Sequence, residues 1–340
     1  MKGRIRVGIV GIGFGQQAHI PAFCAGEDTE VVAIAASTPA RAQAVGGRHG
    51  IPHVCDWEEL VSAPYVDAVS VAVPPTLQPP VVHAAITSGK HVFCEKPLAL
   101  TAAEARHLLN AAQRAGVVHA VDFEFRASPA WQRAKDILAN GDIGRVRSAT
   151  ISWHVATMAY RKGLDSWKTR PAQGGGALNN FAVHSIDLLH WLFGPAVSVA
   201  AWLSPKESEQ EWRANLWLEL PDAVQATISV ANDALFGSGH RAEICGERGT
   251  MVLENRSSDT LRGFQLTVGT SASNQLARLP CDELDGPDGR VPAVGVLVKK
   301  FVAAIRSGGR ARPDFEDALQ VARVVDAARR ADRGGTWQAP

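Results

Sequence analysis

The sequence predicts an α/β chain in two parts. A doubly wound parallel sheet occupies residues 1–125, and an α+β domain with an antiparallel sheet follows over residues 126–340. Three observations predict this. Through the first part, short β-rich runs alternate with helical patterns, as repeated strand–helix–strand units with right-handed crossovers do. The run Val66–Val73 is nearly all apolar, as a strand buried on both faces should be. After about residue 126 the apolar residues alternate with polar ones, which marks strands covered on one side only.

The elements follow in order. Strands are expected at Arg4–Val10, Val31–Ala35, Val66–Val73, His91–Cys94 and Val117–Phe123. Asp56 caps a short helix through Leu60. Thr101 and Glu104 form a capping box ahead of Ala105–Ala115, and Gly116 stops that helix. Ser128-Pro129 opens a helix that runs to about Asn140. Ala214, Leu216, Leu218 and Leu220 alternate with polar or amphipathic residues, and Val224, Ala226, Ile228 and Val230 do the same. Helices are expected at about 180–193, 293–307 and 316–331, with a polar loop at 282–292.

Bulk properties exclude several classes. The chain has 340 residues, a natural length for two domains. With 35 basic and 34 acidic residues, its net charge of +1 gives no electrostatic case for nucleic acid or an anionic membrane as partner. No apolar run approaches the roughly 18 to 20 residues of a membrane span. Met1-Lys2-Gly3-Arg4 leads straight into a strand without the apolar block of a secretory signal. The five cysteines include no CxxC pair, so a reduced, cytoplasmic protein is expected. Cys94 reads as an apolar filler at a strand end.

The first strand ends in Gly11-Ile12-Gly13-Phe14-Gly15-Gln16. Gly11 allows a tight turn into a helix, and Gly13 lets a pyrophosphate approach the backbone. The free N–H groups of the helix start then face that phosphate. Gln16 stands where the third glycine of such a turn belongs, and Gly15 relieves part of the crowding. At the chain start and inside a βαβ series, this is a Rossmann-type dinucleotide site formed by Gly11, Gly13, Phe14, Gly15 and Gln16. An NAD-type site places an acid after the second strand to hold the ribose 2′-hydroxyl. Here that stretch reads Ala35-Ala36-Ser37-Thr38-Pro39-Ala40-Arg41. Ser37, Thr38 and Arg41 suit a 2′-phosphate, so NADP(H) is the preferred cofactor expected and NAD(H) a possible one.

The chain resembles the Gfo/Idh/MocA oxidoreductases. The resemblance rests on Gly11-Ile12-Gly13 with His19, on Val73-Pro74-Pro75, and on the run Gly89 to Pro97 that ends in Glu95-Lys96-Pro97. It rests also on Gly174-Gly175-Gly176-Ala177-Leu178 followed by His184-Ser185-Ile186-Asp187. The resemblance implies a second domain with an open, largely antiparallel sheet. It implies hydride transfer between a nicotinamide and a carbinol or ketone of a sugar, inositol or sugar derivative. It implies a homodimer or homotetramer. Pro74, Pro75, Glu95, Lys96 and Trp167 fall at the cofactor by this likeness.

Lys96 lies just past a strand's carboxyl end, where open α/β sheets bind ligands, and a lysine there can stabilise a developing alkoxide. His184 is the natural proton shuttle. Asn180 stands where family members commonly carry Asp. Three readings follow: Asn180 orients substrate while Lys96 and His184 move the proton; Asp187 supplies the missing charge; or the protein binds without turnover. A redox cycle on tightly held NAD, serving dehydration or hydrolysis, is a further alternative. Gln78 and Lys168 are departures as well, each replacing a residue common in the family, His and Arg respectively. Arg126, Tyr160 and Asn179 are candidates for lining the substrate pocket. No His/Cys/Asp/Glu cluster shows ligand spacing, so no metal site is expected.

Overall fold

A computed structural model describes residues 3–205, 210–273 and 275–340. The chain divides into two compact units, one formed by residues up to Glu124 together with Arg290–Leu319, the other by Phe125–Gly289 and Gln320–Pro340.

The first unit is built on strands β1 (Ile5–Val10), β2 (Thr29–Ala35), β3 (His53–Val54), β4 (Ala68–Val71), β5 (His91–Cys94) and β6 (His119–Val121). All pair in parallel, in the order β3-β2-β1-β4-β5-β6. That is the doubly wound order, with its switch point between β1 and β4. Val7, Ile9, Val69, Val71, Val92 and Phe93 are all fully buried, so the central strands are covered on both faces as their apolar sequences require. β4 is shorter than the apolar run predicts. Connections include the helices Pro39–His49, Gln78–Thr87 and Ala102–Ala115. Thr101 and Glu104 make both bonds of the capping box, and Gly116 closes the last helix at φ 65°.

The compact unit extends beyond the single boundary expected near residue 125. Helix Arg290–Ser307, expected in the second domain, belongs to the first unit. The physical reason is the sheet's need for cover. Phe301 is fully buried and meets Phe93 of β5 at 5.8 Å, and Arg306 pairs with Asp28 at 2.7 Å. The chain then reaches β6, where Val121 N–H donates to Pro313 O at 3.0 Å.

The second unit holds strands β7 (Val146–His154), β8 (Ser198–Ser204), β9 (Arg213–Glu219), β10 (Gln225–Ala231), β11 (Gly239–Gly246), β12 (Gly249–Asn255), β13 (Gln265–Thr270) and β14 (Ala277–Leu279). Their order is β14-β13-β12-β11-β7-β10-β9-β8, antiparallel throughout except the β7–β10 pair. One face is apolar, with Ala149, Ile151, Trp153, Ala226, Ile228, Val230, Ala242 and Ile244 buried. Helices Pro129–Ala139 and Val183–Phe193 pack on it. The helix expected at about 180–193 starts instead as a π-turn at Leu178–Ala182 and becomes α-helical only at Val183. No described helix is long and apolar enough to cross a membrane.

Candidate active site

In the first unit, each glycine of the turn after β1 has its own reason. Gly11 sits at φ 99°, and a Cβ there would lie 2.2 Å from the Ala72 carbonyl oxygen, so only glycine fits. Gly15 is buried, and a Cβ there would meet Ala72 Cβ and Ile9 Cγ2 at an ordinary contact distance of 3.4 Å. Gly13 differs: a Cβ there meets nothing within 4 Å, and the residue is exposed. Nothing inside the chain demands glycine at 13. An open main-chain surface beside the turn is what a pyrophosphate needs, so the residues present fit a dinucleotide. A π-turn, Gly15–His19, follows and continues as helix Ile20–Cys24. Phe14 lies beneath the Arg290 guanidinium at 5.7 Å, and Arg290 also donates to Gln17 Oε1 at 3.2 Å. Arg290 thus brings a cation to the glycine turn from a residue 273 positions away. No spacing in the sequence reveals it.

At the end of β2, Arg41 Nη1 donates to Ser37 Oγ at 2.9 Å. Thr38 caps helix Pro39–His49 by accepting from Arg41 N–H. All three expected residues stand together on an exposed helix start with no acid among them.

The Glu95-Lys96-Pro97 turn is held along its backbone. Gln78 is fully buried; its Nε2 donates to Glu95 O at 3.1 Å and to Pro97 O at 2.5 Å. Its Oε1 accepts from Cys94 Sγ at 3.5 Å. Pro74 and Pro75 open the loop that delivers Gln78, with Leu77 N–H bonded to Pro74 O at 2.8 Å. The amide at position 78 is therefore a brace for this turn. Burial pushes the Cys94 thiol well up, which fits a filler and not a nucleophile.

The Glu95 carboxylate faces inward. Oε2 accepts from Lys96 N–H at 3.2 Å, and Oε1 accepts from His19 Nε2–H at 3.0 Å. His19 Nε2–H also points to Asp122 Oδ2 at 3.2 Å, and Nδ1 meets Ser70 Oγ at 2.7 Å. Burial alone would lower the imidazole's pKa, but hydrogen bonds to Asp122 and Glu95 carry it up to about 9. Burial drives Asp122 up, the His19 bond pulls part of that back, and the group stands at about 7. Burial and the neighbouring carboxylates hold Glu124 well above the usual carboxylate range. The structure thus assembles a His/Glu/Asp set that sequence spacing did not show, with one ligand-capable atom of each within 4.8 Å of the others.

In the second unit, the Gly-Gly-Gly segment is explained by contact. A Cβ on Gly175 would lie 2.0 Å from Trp167 O, and one on Gly176, at φ 88°, 2.5 Å from Glu211 Oε1. Glu211 Oε1 accepts from Leu178 N–H at 2.9 Å, its carbonyl accepts from Ala177 N–H at 3.0 Å, and its Oε2 pairs with Arg329 at 3.1 Å. Glu211 thereby anchors the start of the π-turn. Asn179 is buried on that turn, and Asn180 Nδ2 donates to Lys168 O at 2.5 Å. His184 is buried one residue into the α-helix, edge-on to Phe125 at 5.0 Å and tilted against Trp153 at 6.1 Å.

The remaining expected residues separate. Arg126 is buried and forms a bidentate pair with Asp187, at 2.8 and 2.6 Å. Asp187 thus holds the Arg126 guanidinium in a charge-assisted fork within the second unit. Tyr160 is 38% exposed, its ring edge-on to Trp212 at 5.4 Å. Trp167 is half-buried with Lys168 Nζ 5.8 Å from its ring centre. His154 and His190 have structural partners, Ser229 Oγ and Ala196 N–H.

Comparison with known proteins adds to this geometry. Residues 5–123 match the model described as the oxidoreductase family, NAD-binding Rossmann fold, and residues 131–252 match the GFO/IDH/MocA C-terminal domain. An uncharacterized oxidoreductase of Synechocystis is 32% identical, over 98% of this chain and 96% of that protein. Levoglucosan dehydrogenase of Pseudarthrobacter phenanthrenivorans is 29% identical over 95% of each chain. A solved levoglucosan dehydrogenase in complex with NADH and levoglucosan superposes with a TM-score of 0.89 at 26% identity, covering 99% of both chains. The glycine turn at the switch point, the braced Glu95-Lys96-Pro97 turn and these matches lead to one conclusion: the chain belongs to the Gfo/Idh/MocA family of NAD(P)-dependent oxidoreductases acting on CH–OH groups.

Proposed function

We propose that the protein oxidises a carbinol, or reduces the matching ketone, on a sugar, inositol or sugar derivative, with NADP(H) preferred over NAD(H). The carrying observation is the acid-free end of β2, where Ser37, Thr38 and Arg41 cluster beside an open glycine turn. An arginine forked toward a phosphate is the usual means of taking the 2′-phosphate. Gly11, Gly13, Phe14, Gly15 and Gln16 would hold the pyrophosphate, with Arg290 adding charge. The sugar class is supported by the likeness to levoglucosan dehydrogenase.

The nicotinamide, when bound, supplies hydride donation or acceptance. The chain supplies the proton chemistry. Lys96 hydrogen-bonds the reacting oxygen and stabilises alkoxide charge as it develops. His184 takes or returns the proton. Asn180 and Asn179 orient the substrate side of the π-turn, and Pro74, Pro75, Glu95 and Trp167 border the cofactor. The exposed Trp202 and Trp217, on the outer face of β8 and β9, support assembly into a homodimer or homotetramer through that face.

Fluorescence titration with NADPH and NADH tests the cofactor choice. NADPH is expected to bind at least tenfold tighter, about 1.4 kcal/mol; tighter NADH binding refutes it. Turnover across levoglucosan, inositols and ketosugars then tests the substrate class. Lys96→Ala and His184→Ala should each lower kcat by a factor of about 100 or more. Full activity in His184→Ala removes that residue from the mechanism.

A further inference from the structure

We propose that His19, Glu95 and Asp122 form a buried, charge-sharing triad that holds Lys96 in its working position, which makes His19 and Asp122 positioning residues of the reaction. The proposal rests on the oxidoreductase reading for what Lys96 does, and on the hydrogen-bond geometry for the triad.

Four elements converge here. The π-turn after β1 delivers His19, β4 delivers Ser70, and the segment after β5 delivers Glu95 and Lys96. Asp122 and Glu124 follow β6. His19 Nε2–H is shared between Glu95 Oε1 and Asp122 Oδ2, at 3.0 and 3.2 Å, while Ser70 Oγ takes the other ring nitrogen. The ring is also packed edge-on to Phe93 at 5.3 Å and to Phe14 at 5.6 Å, so it has no room to rotate away. Its position therefore fixes Glu95, and Glu95 Oε2 in turn fixes the Lys96 N–H. Gln78 holds the carbonyls on either side of Lys96. Lys96 thus projects from a turn tied down at three consecutive residues.

The charges also interlock. His19 and Asp122 side chains are fully inaccessible, and Glu95 is 13% exposed. The titratable groups around the triad are Lys96, Cys94 and Glu124, with Arg290 over the Phe14 ring. Asp122 Oδ1 is buried with no partner among the described residues. A bare carboxylate oxygen in that place is costly, which is why Asp122 keeps its proton up to about pH 7. Protonated Asp122 leaves imidazolium His19 to Glu95. Ionised Asp122 competes for the same N–H and adds a negative charge beside Glu95. The triad therefore passes between two charge states near neutral pH.

The test uses the full chain with 15N-labelled histidine. One imidazole should stay doubly protonated past about pH 8, vanish from the spectrum of His19→Asn, and lose its proton at least about one pH unit earlier in Asp122→Asn. Reductive 13C-methylation gives a second readout independent of turnover: the Lys96 methyl signal, assigned by its loss in Lys96→Arg, should move in Glu95→Gln and His19→Asn. Kinetically, Asp122→Asn should keep the cofactor dissociation constant within about twofold, lower kcat several-fold, and erase an inflection near neutral pH. His19→Gln, which keeps a donor, should recover part of what His19→Asn loses. An ordinary titration of His19, an unmoved Lys96 signal or an unchanged pH profile overturns the proposal. So does a divalent metal recovered at one per chain and lost in His19→Asn, because a metal site would replace the shared proton. If no substrate turns over, the two spectroscopic readouts still decide the triad, and the oxidoreductase reading fails separately.

Discussion

Asn180 donates its side-chain amide to the Lys168 carbonyl, tying the π-turn to the Trp167–Thr169 turn. A carboxylate at 180 cannot make this bond. It would set negative charge against a carbonyl oxygen. The amide is thus a local structural requirement of this chain, and the residue that gave reason to doubt turnover gains a function. Asn180→Ala should cost about 1 kcal/mol, the worth of one hydrogen bond. Asn180→Asp should cost more at neutral pH and recover toward acid, where a protonated carboxyl can donate. Thermal melts at two pH values check both.

Gly11 and Gly13 make opposite predictions from one turn. Gly11→Ala drives a Cβ against the Ala72 carbonyl and should destabilise the fold by several kcal/mol. Gly13→Val adds a side chain into open space, so its melting temperature should match the parent. Its cofactor affinity should fall by a factor of about 10 or more, because the main chain can no longer meet the pyrophosphate. A Gly13→Val protein with unimpaired cofactor binding would remove the turn from the site.

The same contrast shows what the sequence makes legible. Local signals translated well: β5 spans His91–Cys94 as read, and the Thr101–Glu104 box forms because both partners lie within one turn. Helix Pro39–His49 was not legible, since only Ala42, Val45 and Gly46 are buried and little apolar periodicity remains. His19, Glu95 and Asp122 come together over separations of 76 and 103 residues, which leave no spacing motif. Gln78 read as a departure because its partners are main-chain carbonyls, and these carry no sequence identity. The placement of Arg290–Ser307 likewise follows from a sheet face that must be covered, not from local pattern.

Arg126 and Asp187 form a buried bidentate pair, with side-chain exposures of 5% and 1%. Removing one partner takes a bidentate ion pair away from the other in a dry site. Arg126→Met should therefore cost about 3 to 5 kcal/mol. Arg126→Met with Asp187→Leu should recover most of that loss. Chemical denaturation of the two variants checks this. A mild effect of Arg126→Met on stability, with a large rise in KM, would assign Arg126 to the substrate pocket instead.

His240 lies flat against Trp153 at 4.4 Å and edge-on to Phe125 and Phe264, with neither ring nitrogen bonded among the described residues. Burial pushes its pKa down to about 3 from an ordinary 6.5. The folded protein therefore keeps this ring neutral while the unfolded chain protonates it. Below about pH 6.5 the unfolded state binds a proton that the folded state refuses, and stability falls as pH drops toward 3. The loss amounts to a few kcal/mol at the acid end. His19 works in the opposite direction: its raised pKa gives stability that is complete below 6.5 and is lost as pH rises through about 9. His240→Phe, which keeps an aromatic ring against Trp153, should flatten the acid limb of the stability curve and leave the alkaline limb in place. His19→Asn should flatten the alkaline limb. Urea midpoints measured across the pH range distinguish the two, and an acid limb unchanged in His240→Phe would show that the ring is solvated in the folded state.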